Sequence, residues 1–403
     1  MTTSNLYTSL DETKVFRDPI HGYIHVDSAL IYQLICTPTF QRLRRIKQLG
    51  ATYTVYSSAE HSRFSHSLGV YEIARRLVHE NKAVAQNLTT EEKLYVQIAA
   101  LLHDIGHGPY SHVFESLTHS SHEDMTIGII KHSNDIHPLL ENAQPGLSDI
   151  IASIINHKYP KPLCWQLVSS QLDCDRMDYL LRDAYFTGTK YGQFDLERIL
   201  RTIRVANDQL VVKYSGIYAI ENYLMARFHM FWQVYYHINI RIFESMLIAW
   251  NKRIMMVETN DPLIQDYQQM ILDPTYIDLY LTSDDSTLIT LFKKCSADND
   301  PILSDLSRRL LNRDLFHEYQ DDPTIIDPLI DRLIDQGLDL DYYLLDDTPM
   351  TTATRPYNAY GKQKINILNT DGSIKEISDV SSTMKALSSS HTQSDHYRFA
   401  PRL

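Results

Sequence analysis

The sequence predicts a mainly α-helical bundle followed by a smaller mixed α/β C-terminal region that contains a hairpin. The 403 residues include only 13 glycines and 15 prolines, so residues that interrupt helices are scarce. Through much of the first half, apolar side chains recur at three- and four-residue steps, the period of a helix with one buried face. Near the C-terminus, alternating apolar positions flank the Asp371-Gly372 pair, and this pattern predicts the hairpin.

The elements are predicted in chain order from local signals. Residues 14–27 mix β-forming side chains with Pro19 and Gly22, which favours a short hairpin-like start. The predicted helices span residues 29–35, 38–48, 65–86, 91–104, 165–187 and 217–261. The last is expected to be one long central helix because it contains neither glycine nor proline. The Ser/Thr-rich stretch 378–394 predicts a loose linker before 397–403.

The overall charge excludes several classes of function. Fifty acidic and 38 basic residues give a net charge of −12, which does not suit proteins that hold nucleic acid or anionic membranes on a dense Lys/Arg field. The first 14 residues are polar, and no apolar run is long enough to span a membrane. We therefore expect a cytoplasmic protein with neither nucleic acid nor membrane as a partner. The cysteines lack CxxC spacing and are predicted to be reduced, buried thiols; they are Cys36, Cys164, Cys174 and Cys295.

Histidine is concentrated in one part of the chain, with eight of the 18 lying between His61 and His122. The segment HDIGHGPYSH places His103, Asp104 and His107 around a predicted helix end and a Gly-Pro loop. Mixed nitrogen and oxygen donors of this kind suit a divalent transition metal. The alternative is a group of surface or helix-capping histidines.

Two other elements carry polar residues in otherwise apolar surroundings, where a polar side chain needs a reason. Arg63 and His66 stand at the head of an amphipathic helix. Asp175, Tyr179 and Asp183 recur every four residues and therefore line one face of a predicted helix. That stripe is either a solvated edge or a second source of metal ligands.

Five segments in order carry a resemblance to a known family; they are DPIHGYIHV, TFQRLRRIKQLG, HSRFSHSLGVYEIARRL, LLHDIGHGPYSH and QLDCDRMDYLLRDAYFTG. They resemble the HD-domain phosphohydrolases, and in particular the branch that hydrolyses deoxynucleoside triphosphates. The similarity runs from about Lys14 to Tyr236. It implies an HD-domain helical bundle and one divalent metal, with Mn, Mg, Fe and Zn all open. The implied metal ligands are His66, His103, Asp104 and Asp175.

A triphosphate substrate needs more positive charge than the metal supplies. Two carboxylates neutralise a divalent ion, whereas a triphosphate carries roughly four negative charges. Guanidinium groups bind phosphate oxygens in bidentate fashion, and the resemblance implies phosphate contacts from Arg63, Arg176 and Arg227. Lys213 is a further candidate, and for any single arginine a surface salt bridge is the alternative.

The resemblance also implies the residues that move protons. His107, His112 and His122 match the catalytic histidines of the family. Glu115 stands where the animal member has aspartate, as the carboxylate that orients the histidines. The extra methylene of glutamate leaves the charge of this relay unchanged but alters its reach.

Substrate selection is assigned from the resemblance as well. The implied contacts come from Gln48, Leu49, Tyr179 and Asp183, with Tyr235 packed near the sugar. A ring against the sugar, together with a hydrogen-bonded 3′-hydroxyl, leaves little room for a 2′-hydroxyl. The alternative for Tyr235 is an ordinary core tyrosine.

A regulatory nucleotide site is expected to differ from that of the animal member, which forms tetramers when nucleotides fill a second site. The guanine-reading aspartate of that enzyme is replaced here by Cys36, while Gln41 and Arg44 persist. A thiol is a poor acceptor for the two donors on a guanine edge. We expect a homo-oligomer, dimer or tetramer, whose activating nucleotide is held mainly through its phosphates by Lys14, Arg44 and their neighbours.

The predicted function is metal-dependent hydrolysis of dNTPs to deoxynucleoside and inorganic triphosphate. One alternative is an HD phosphohydrolase for another nucleotide, such as a monophosphate or a guanosine polyphosphate. Another is a nucleotide-sensing protein without turnover. The predicted division is a regulatory N-terminal part over 1–50, a catalytic domain over 51–255 and a C-terminal α+β region over 256–403 that contributes to oligomerisation.

Overall fold

The computed structural model describes residues 5–347, 363–389 and 396–402. The described chain is mainly helical, as predicted. It opens with a hairpin in which β1 (Ser9–Asp18) pairs antiparallel with β2 (Gly22–Ser28). Gly22 adopts φ +75° in the turn, a conformation that glycine tolerates without steric cost. The predicted hairpin-like start is therefore confirmed.

The helices of the first half surround the predicted histidine-rich region. The prediction for 91–104 agrees with the structure to within two residues, and the helix predicted over 29–35 is also present. The helices are α1 (Ala29–Cys36), α2 (Pro38–Arg42), α3 (Arg63–Glu80), α4 (Lys82–Ala85), α5 (Thr90–Leu102), α6 (His112–Thr118), α7 (His122–His132), α8 (Ile136–Ala143), α9 (Leu147–Ile155), α10 (Pro162–Val168), α11 (Cys174–Thr187) and α12 (Leu196–Thr202).

Two of these predictions were too long. The helix expected over 38–48 ends at Arg42 and tightens into the 3₁₀ turn Leu43–Arg45. The helix expected over 65–86 divides at Asn81, whose side chain accepts hydrogen bonds from the backbone N–H groups of Ala83 and Val84. A capping side chain can start a new helix without glycine or proline, so the apolar period alone did not reveal the break.

The predictions of one helix over 165–187 and of one long central helix are wrong for the same reason, because capping side chains begin new helices within both stretches. In the first case α10 ends at Val168, and Asp173 caps the start of α11 by accepting from the backbone N–H of Arg176. The central stretch forms α13 (Ile217–Met230), a π-helical turn (Phe231–Tyr235) and α14 (Ile238–Ile254). His237 caps α14. The π turn falls directly beside residues predicted to contact substrate.

The C-terminal part combines helices with two small sheets. The predicted hairpin is confirmed, because Asn366–Leu368 pairs with Ile374–Glu376, and together with two earlier strands it forms a four-stranded sheet. Tyr397–Ala400 pairs with two further strands. The strands are β3 (Ile203–Ala206), β4 (Gln209–Lys213), β5 (His317–Gln320), β6 (Leu345–Asp346), β7 (Asn366–Leu368), β8 (Ile374–Glu376) and β9 (Tyr397–Ala400).

The linker predicted over 378–394 is wrong where the structure describes it, since two short helices occupy this region; residues 390–395 lie outside the described residues. The helices of the C-terminal part are α15 (Pro262–Leu272), α16 (Ile277–Leu281), α17 (Asp285–Cys295), α18 (Pro301–Asn312), α19 (Pro323–Asp335), α20 (Leu340–Tyr343), α21 (Ile377–Val380) and α22 (Ser382–Ser389). The division into three parts stays a prediction.

Helix α3 packs against both α5 and α11, and this contact positions the polar residues at the ends of all three helices. The four cysteines are free thiols, three of them buried, but Cys36 is exposed, so the prediction of burial is wrong for that residue. Among the described residues, no helix is both long enough and apolar enough to cross a membrane.

Candidate active site

The four predicted metal ligands come together where α3 begins, α5 ends and α11 begins. Nε2 of His66 lies 3.1 Å from Oδ1 of Asp175, and Nε2 of His103 lies 3.6 Å from the same oxygen. The carboxylate of Asp104 is 3.7 Å from Nε2 of His66 and 3.3 Å from Nε2 of His103. Donors supplied by three separate helices thus converge on one point.

The orientation of the two imidazoles fits a metal ion. Nδ1 of His66 is 2.8 Å from Oδ2 of Asp178, and Nδ1 of His103 is 2.8 Å from the carbonyl oxygen of Ala100. These contacts place the ring proton on Nδ1 and leave the Nε2 lone pair directed into the cluster. Both Nε2 atoms are buried without a hydrogen bond. Buried lone pairs facing two carboxylates are the donor set that a divalent cation satisfies.

The electrostatics of this cluster favour positive charge. Burial alone would lower the pKa of His66, but the adjacent carboxylates of Asp175, Asp178 and Asp104 raise it to about 10. A cation bound at Nε2 would take the place of the second ring proton. Burial would raise the pKa of Asp175, yet the neighbouring His103 and His66 lower it. The pKa of Asp104 is likewise held well below its usual value by His103 and Arg63, against the effect of burial. Both carboxylates therefore stay ionised at neutral pH.

A second cluster, formed by His107, His112, Glu115 and His122, adjoins the first. Oε1 of Glu115 lies 2.8 Å from Nδ1 of His112 and 2.7 Å from Nδ1 of His122. The ring of His122 stacks on that of His107 at 4.0 Å, and Nε2 of His107 lies 3.4 Å from Oδ1 of Asp104. Asp104 consequently touches both clusters. The longer glutamate side chain still reaches both histidines.

The second cluster has the charges of a proton relay. Burial would raise the pKa of Glu115, but the hydrogen bonds from His112 and His122 lower it well below its usual value. Burial would lower the pKa of His122, and its bond to Glu115 instead raises it. The pKa of His107 is lowered by burial and by the nearby charge of Arg63. The donor atoms of these four residues also lie within 4.8 Å of one another, a spacing that could hold a metal.

Of the three predicted phosphate-binding arginines, one contacts Asp104 and the other two bond to the turn that precedes α11. Arg63 is buried, contacts the carboxylate of Asp104, and donates to Oγ of Ser111 at 3.0 Å. Arg176 donates to the carbonyl oxygen of Ser170 and to Asp173. Arg227, on α13, donates to Oε1 of Gln171 in that same turn at 2.9 Å. Lys213 is exposed at the end of β4.

The predicted sugar-contacting residues meet at Asp183. Its Oδ2 accepts a hydrogen bond of 2.7 Å from the hydroxyl of Tyr235, and its Oδ1 lies 2.8 Å from Nε2 of His61. The Tyr179 ring lies 6.1 Å from that of Tyr235 and 6.4 Å from that of His66. The group around Asp183 therefore borders the cluster of predicted metal ligands.

Gln48 contacts Arg63 through its backbone, and Leu49 is the next residue in the chain. The backbone carbonyl of Gln48 accepts from Nη2 of Arg63 at 3.4 Å, and its buried side-chain Oε1 has no hydrogen bond. Leu49 is half-buried against the core. A buried amide oxygen without a hydrogen bond is suited to accepting one from a bound molecule.

The predicted regulatory residues are only partly brought together. Oε1 of Gln41 accepts a hydrogen bond of 2.7 Å from Arg44, whose guanidinium lies over the ring of Phe64 at 3.5 Å. Lys14 lies on β1 and pairs with Glu12 of the same strand at 3.5 Å. The regulatory role of all three stays a prediction.

Several residues that support the site were missed in the sequence. Their role depends on contacts between distant segments. All of them lie in the segments that carry the family resemblance, and His61 is also one of the clustered histidines, but neither signal assigns them a partner. Asp178 lies one helical turn after Asp175, yet it points to the rear of His66 instead of into the cluster. The missed residues are His21, His61, Gln171, Asp173, Asp178 and Arg182.

Comparison with known proteins places this geometry in a family. The HD domain model matches residues 63–183, and the HD associated region model matches residues 194–321. The uncharacterized protein YwfO of Bacillus subtilis strain 168 is 40% identical over 98% of this chain and 93% of its own length. Human deoxynucleoside triphosphate triphosphohydrolase SAMHD1 is 35% identical over 49% of this chain, which is 37% of the human protein.

A solved structure agrees over nearly the whole chain. The crystal structure of a phosphohydrolase from Bacteroides thetaiotaomicron VPI-5482 superposes with a TM-score of 0.84 at 31% sequence identity. The match covers 97% of this chain and 100% of that one. The two matched domains contain the clustered histidines, aspartates and arginines described above. The chain belongs to the HD-domain phosphohydrolase family.

Proposed function

We propose that this protein hydrolyses deoxynucleoside triphosphates to deoxynucleoside and inorganic triphosphate. The observation that carries the proposal is the position of Asp104 between two clusters of different chemistry. On one side its carboxylate faces Nε2 of His66 and His103, and on the other it lies 3.4 Å from Nε2 of His107. Residues suited to binding a cation and residues suited to moving a proton therefore adjoin at one carboxylate.

The names of the relatives favour this substrate class. The enzymes from human, chicken and Dictyostelium discoideum named as deoxynucleoside triphosphate triphosphohydrolases are 35% identical over their aligned regions. Those regions span 37% to 52% of the relatives. These names therefore support dNTPs as the substrate class that we propose for this chain.

The chain's own residues divide the work of the reaction. His66, His103, Asp104 and Asp175 would hold the divalent ion, which when bound supplies positive charge to phosphate oxygens and makes a water more acidic. Arg176 and Arg227 are fixed to the same turn and would bind the outer phosphates. Arg63, between Asp104 and Ser111, would bind the phosphate nearest the sugar.

The leaving 5′-oxygen needs a proton, and we assign its donation to His112. Its side chain is 58% exposed, while its Nδ1 is held by Glu115, so its Nε2 edge is free to face substrate. The contact with Glu115 fixes the orientation of the His112 ring. His122 and His107 extend the relay toward Asp104.

Selection of the deoxyribose is assigned to the group around Asp183. Its carboxylate would accept a hydrogen bond from the 3′-hydroxyl, while the ring of Tyr235 would occupy the space that a 2′-hydroxyl requires. His61 fixes Asp183 from the buried side. The contacts with His61 and Tyr235 hold the Asp183 carboxylate in one orientation.

A product assay tests the proposal directly. Purified protein with Mn²⁺ or Mg²⁺ is incubated with each of the four dNTPs, with and without added GTP, dGTP and dATP. Chromatography should detect deoxynucleoside together with intact triphosphate from at least one dNTP. Formation of only dNDP or dNMP across the panel, or turnover of monophosphates or guanosine polyphosphates instead, would show that the substrate class is wrong.

We also propose that the protein is a homo-oligomer with an activating nucleotide site of weak base selectivity. Cys36 is exposed, so a thiol stands at the position implied to read guanine, and Gln41 is already bonded to Arg44. Turnover of dATP should respond similarly to GTP, dGTP and dATP as activators. Strong activation by GTP alone, at concentrations where the other two do nothing, would contradict this proposal, and sedimentation measures the oligomeric state.

A further inference from the structure

A fully buried charge network lies on the Nδ1 side of the His66 ring, away from the other predicted metal ligands. Asp178 is its centre, and its carboxylate is entirely inaccessible to solvent. Oδ2 lies 2.8 Å from Nδ1 of His66, and Oδ1 lies 2.7 Å from Nε2 of His21. Arg182 donates to both oxygens, at 2.8 and 2.9 Å. One carboxylate thus holds a predicted metal ligand and a residue 45 positions earlier in the chain.

The network extends into the turn of the N-terminal hairpin. Nη1 of Arg182 donates to Oδ2 of Asp18 at 2.7 Å. Oδ1 of Asp18 accepts from the backbone N–H groups of Ile20 and His21, at 2.9 and 3.0 Å. The turn that presents His21 is therefore fixed by the same charges that bind Asp178. The His21 side chain is only 2% exposed.

Helix packing is adapted to this network at Gly69 of α3. A methyl group at that position would overlap both the Asp178 carboxylate and the Arg182 guanidinium. Two aspartates and one arginine are costly to bury unless each is fully hydrogen-bonded. Such an arrangement constrains the ring of His66 far more than a single surface contact does.

We propose that Asp178 and His21 are positioning residues of the metal centre, so that the N-terminal hairpin is a structural part of that centre. Asp178 holds the Nδ1 proton of His66 and thereby directs the Nε2 lone pair toward the metal. His21 holds the second oxygen of Asp178 and prevents the carboxylate from rotating away. The inference rests on the proposed function for the identity of the metal ligands, but it concerns metal affinity and not the substrate.

Asp178→Asn is the first test, because it preserves volume while replacing an acceptor oxygen with a donor amide. Loss of an outer-shell partner of a metal-bound histidine weakens metal binding by about 10- to 100-fold. Binding of Mn²⁺ to the full-length protein is measured by the electron paramagnetic resonance signal of free Mn²⁺. Circular dichroism melts establish that the variant is folded at the assay temperature.

Variants of His21 separate positioning from general stability. His21→Gln places an amide donor near the position of Nε2 and should bind Mn²⁺ within about twofold of the native protein, whereas His21→Asn is too short to reach and should bind several-fold more weakly. His25→Ala is the matched control, since His25 is exposed on the same hairpin. A purely structural role would lower the melting temperature of both amide variants without separating their affinities for Mn²⁺.

The outcomes of this experiment are distinct from those of the product assay. Native affinity for Mn²⁺ in folded Asp178→Asn and His21→Asn proteins would overturn the inference, whatever the protein hydrolyses. If Asp178→Asn does not fold, equal affinity of His21→Gln and His21→Asn overturns it alone. Metal binding that weakens as expected in a protein that hydrolyses no dNTP would support the inference and contradict only the proposed function.

Discussion

Two clusters adjoin at Asp104 and are built in opposite ways. We call them the metal cluster, which is His66, His103, Asp104 and Asp175, and the relay cluster, which is His107, His112, Glu115 and His122. In the metal cluster each histidine has its own buried partner, Asp178 for His66 and the Ala100 carbonyl for His103. In the relay cluster, His112 and His122 share one acceptor, Oε1 of Glu115. The His66 side chain is fully buried, whereas that of His112 is mostly exposed.

The difference in how the histidines are held indicates which chemistry each cluster suits. A ring fixed from behind with its free lone pair aimed inward is suited to a cation of constant position. Two rings sharing one carboxylate can instead exchange a proton while the negative charge stays in place. Residue type alone does not distinguish these roles, since both clusters consist of histidines and carboxylates.

The largest effect is expected from removing a ligand of the metal cluster. Asp175→Ala removes the oxygen that approaches both His66 and His103, and we expect loss of bound metal and a fall in turnover of at least about 1,000-fold. The double variant His103→Ala, Asp104→Ala should behave in the same way. Metal content by mass spectrometry and dNTP hydrolysis are both measured.

The control for this prediction is Asp149→Ala, an exposed carboxylate in the first turn of another helix. It should retain both metal and activity. Stoichiometric metal in the purified Asp175→Ala protein would show that the ligand assignment is wrong.

The relay cluster should respond with a smaller loss and a change in pH dependence. Glu115→Gln removes the charge that orients two histidines, and we expect turnover to fall by about 100-fold while metal content is unchanged. The bond to Glu115 raises the pKa of His122, so His122 keeps its proton to higher pH. Activity should therefore fall as pH rises through that raised pKa, and Glu115→Gln should shift this alkaline limb to lower pH.

Glu123→Gln provides the matched control, because it makes the same change on an exposed neighbour of His122. Its pH profile should match that of the native protein. If Glu115→Gln loses its metal, the two clusters are not separate in function, and the comparison between them is incorrect.

The smallest effect is expected outside both clusters, at Tyr235. Tyr235→Ala removes the ring and should reduce discrimination between dNTPs and NTPs by about 10- to 100-fold, corresponding to a steric contact of roughly 1 to 3 kcal/mol. Tyr235→Phe keeps the ring but loses the hydroxyl bond to Asp183, and it should keep most of that discrimination. An unchanged dNTP to NTP ratio in Tyr235→Ala would identify the ring as core packing only.

The sequence predicted the helical class and the donors that share a helix face. Asp175, Tyr179 and Asp183 follow the helical period, and α11 places them on one face as expected. The breaks at Asn81, Asp173 and His237 were missed because a single capping side chain ends the period without a glycine or proline.

The contacts that support the candidate site could not be predicted, because they join residues that are far apart in the sequence. His21 and Asp178 are separated by 157 positions, and His61 and Asp183 by 122. No local pattern joins such residues, since they come within hydrogen-bond distance only where α3 packs against α11 and where the turn of the N-terminal hairpin bonds to α11. The residues that support the clusters are therefore identified only from the fold, whereas the histidines and carboxylates of the clusters themselves can be predicted from the sequence.

The position of the attacked atom tests the central claim most directly. Hydrolysis of a dNTP in H₂¹⁸O, with Mn²⁺ present, is followed by mass spectrometry of both products. Attack at the α-phosphorus between the two clusters predicts one ¹⁸O in the inorganic triphosphate and none in the deoxynucleoside. Label in the 5′-hydroxyl of the deoxynucleoside, or label appearing only in phosphate or pyrophosphate, would contradict the assignment.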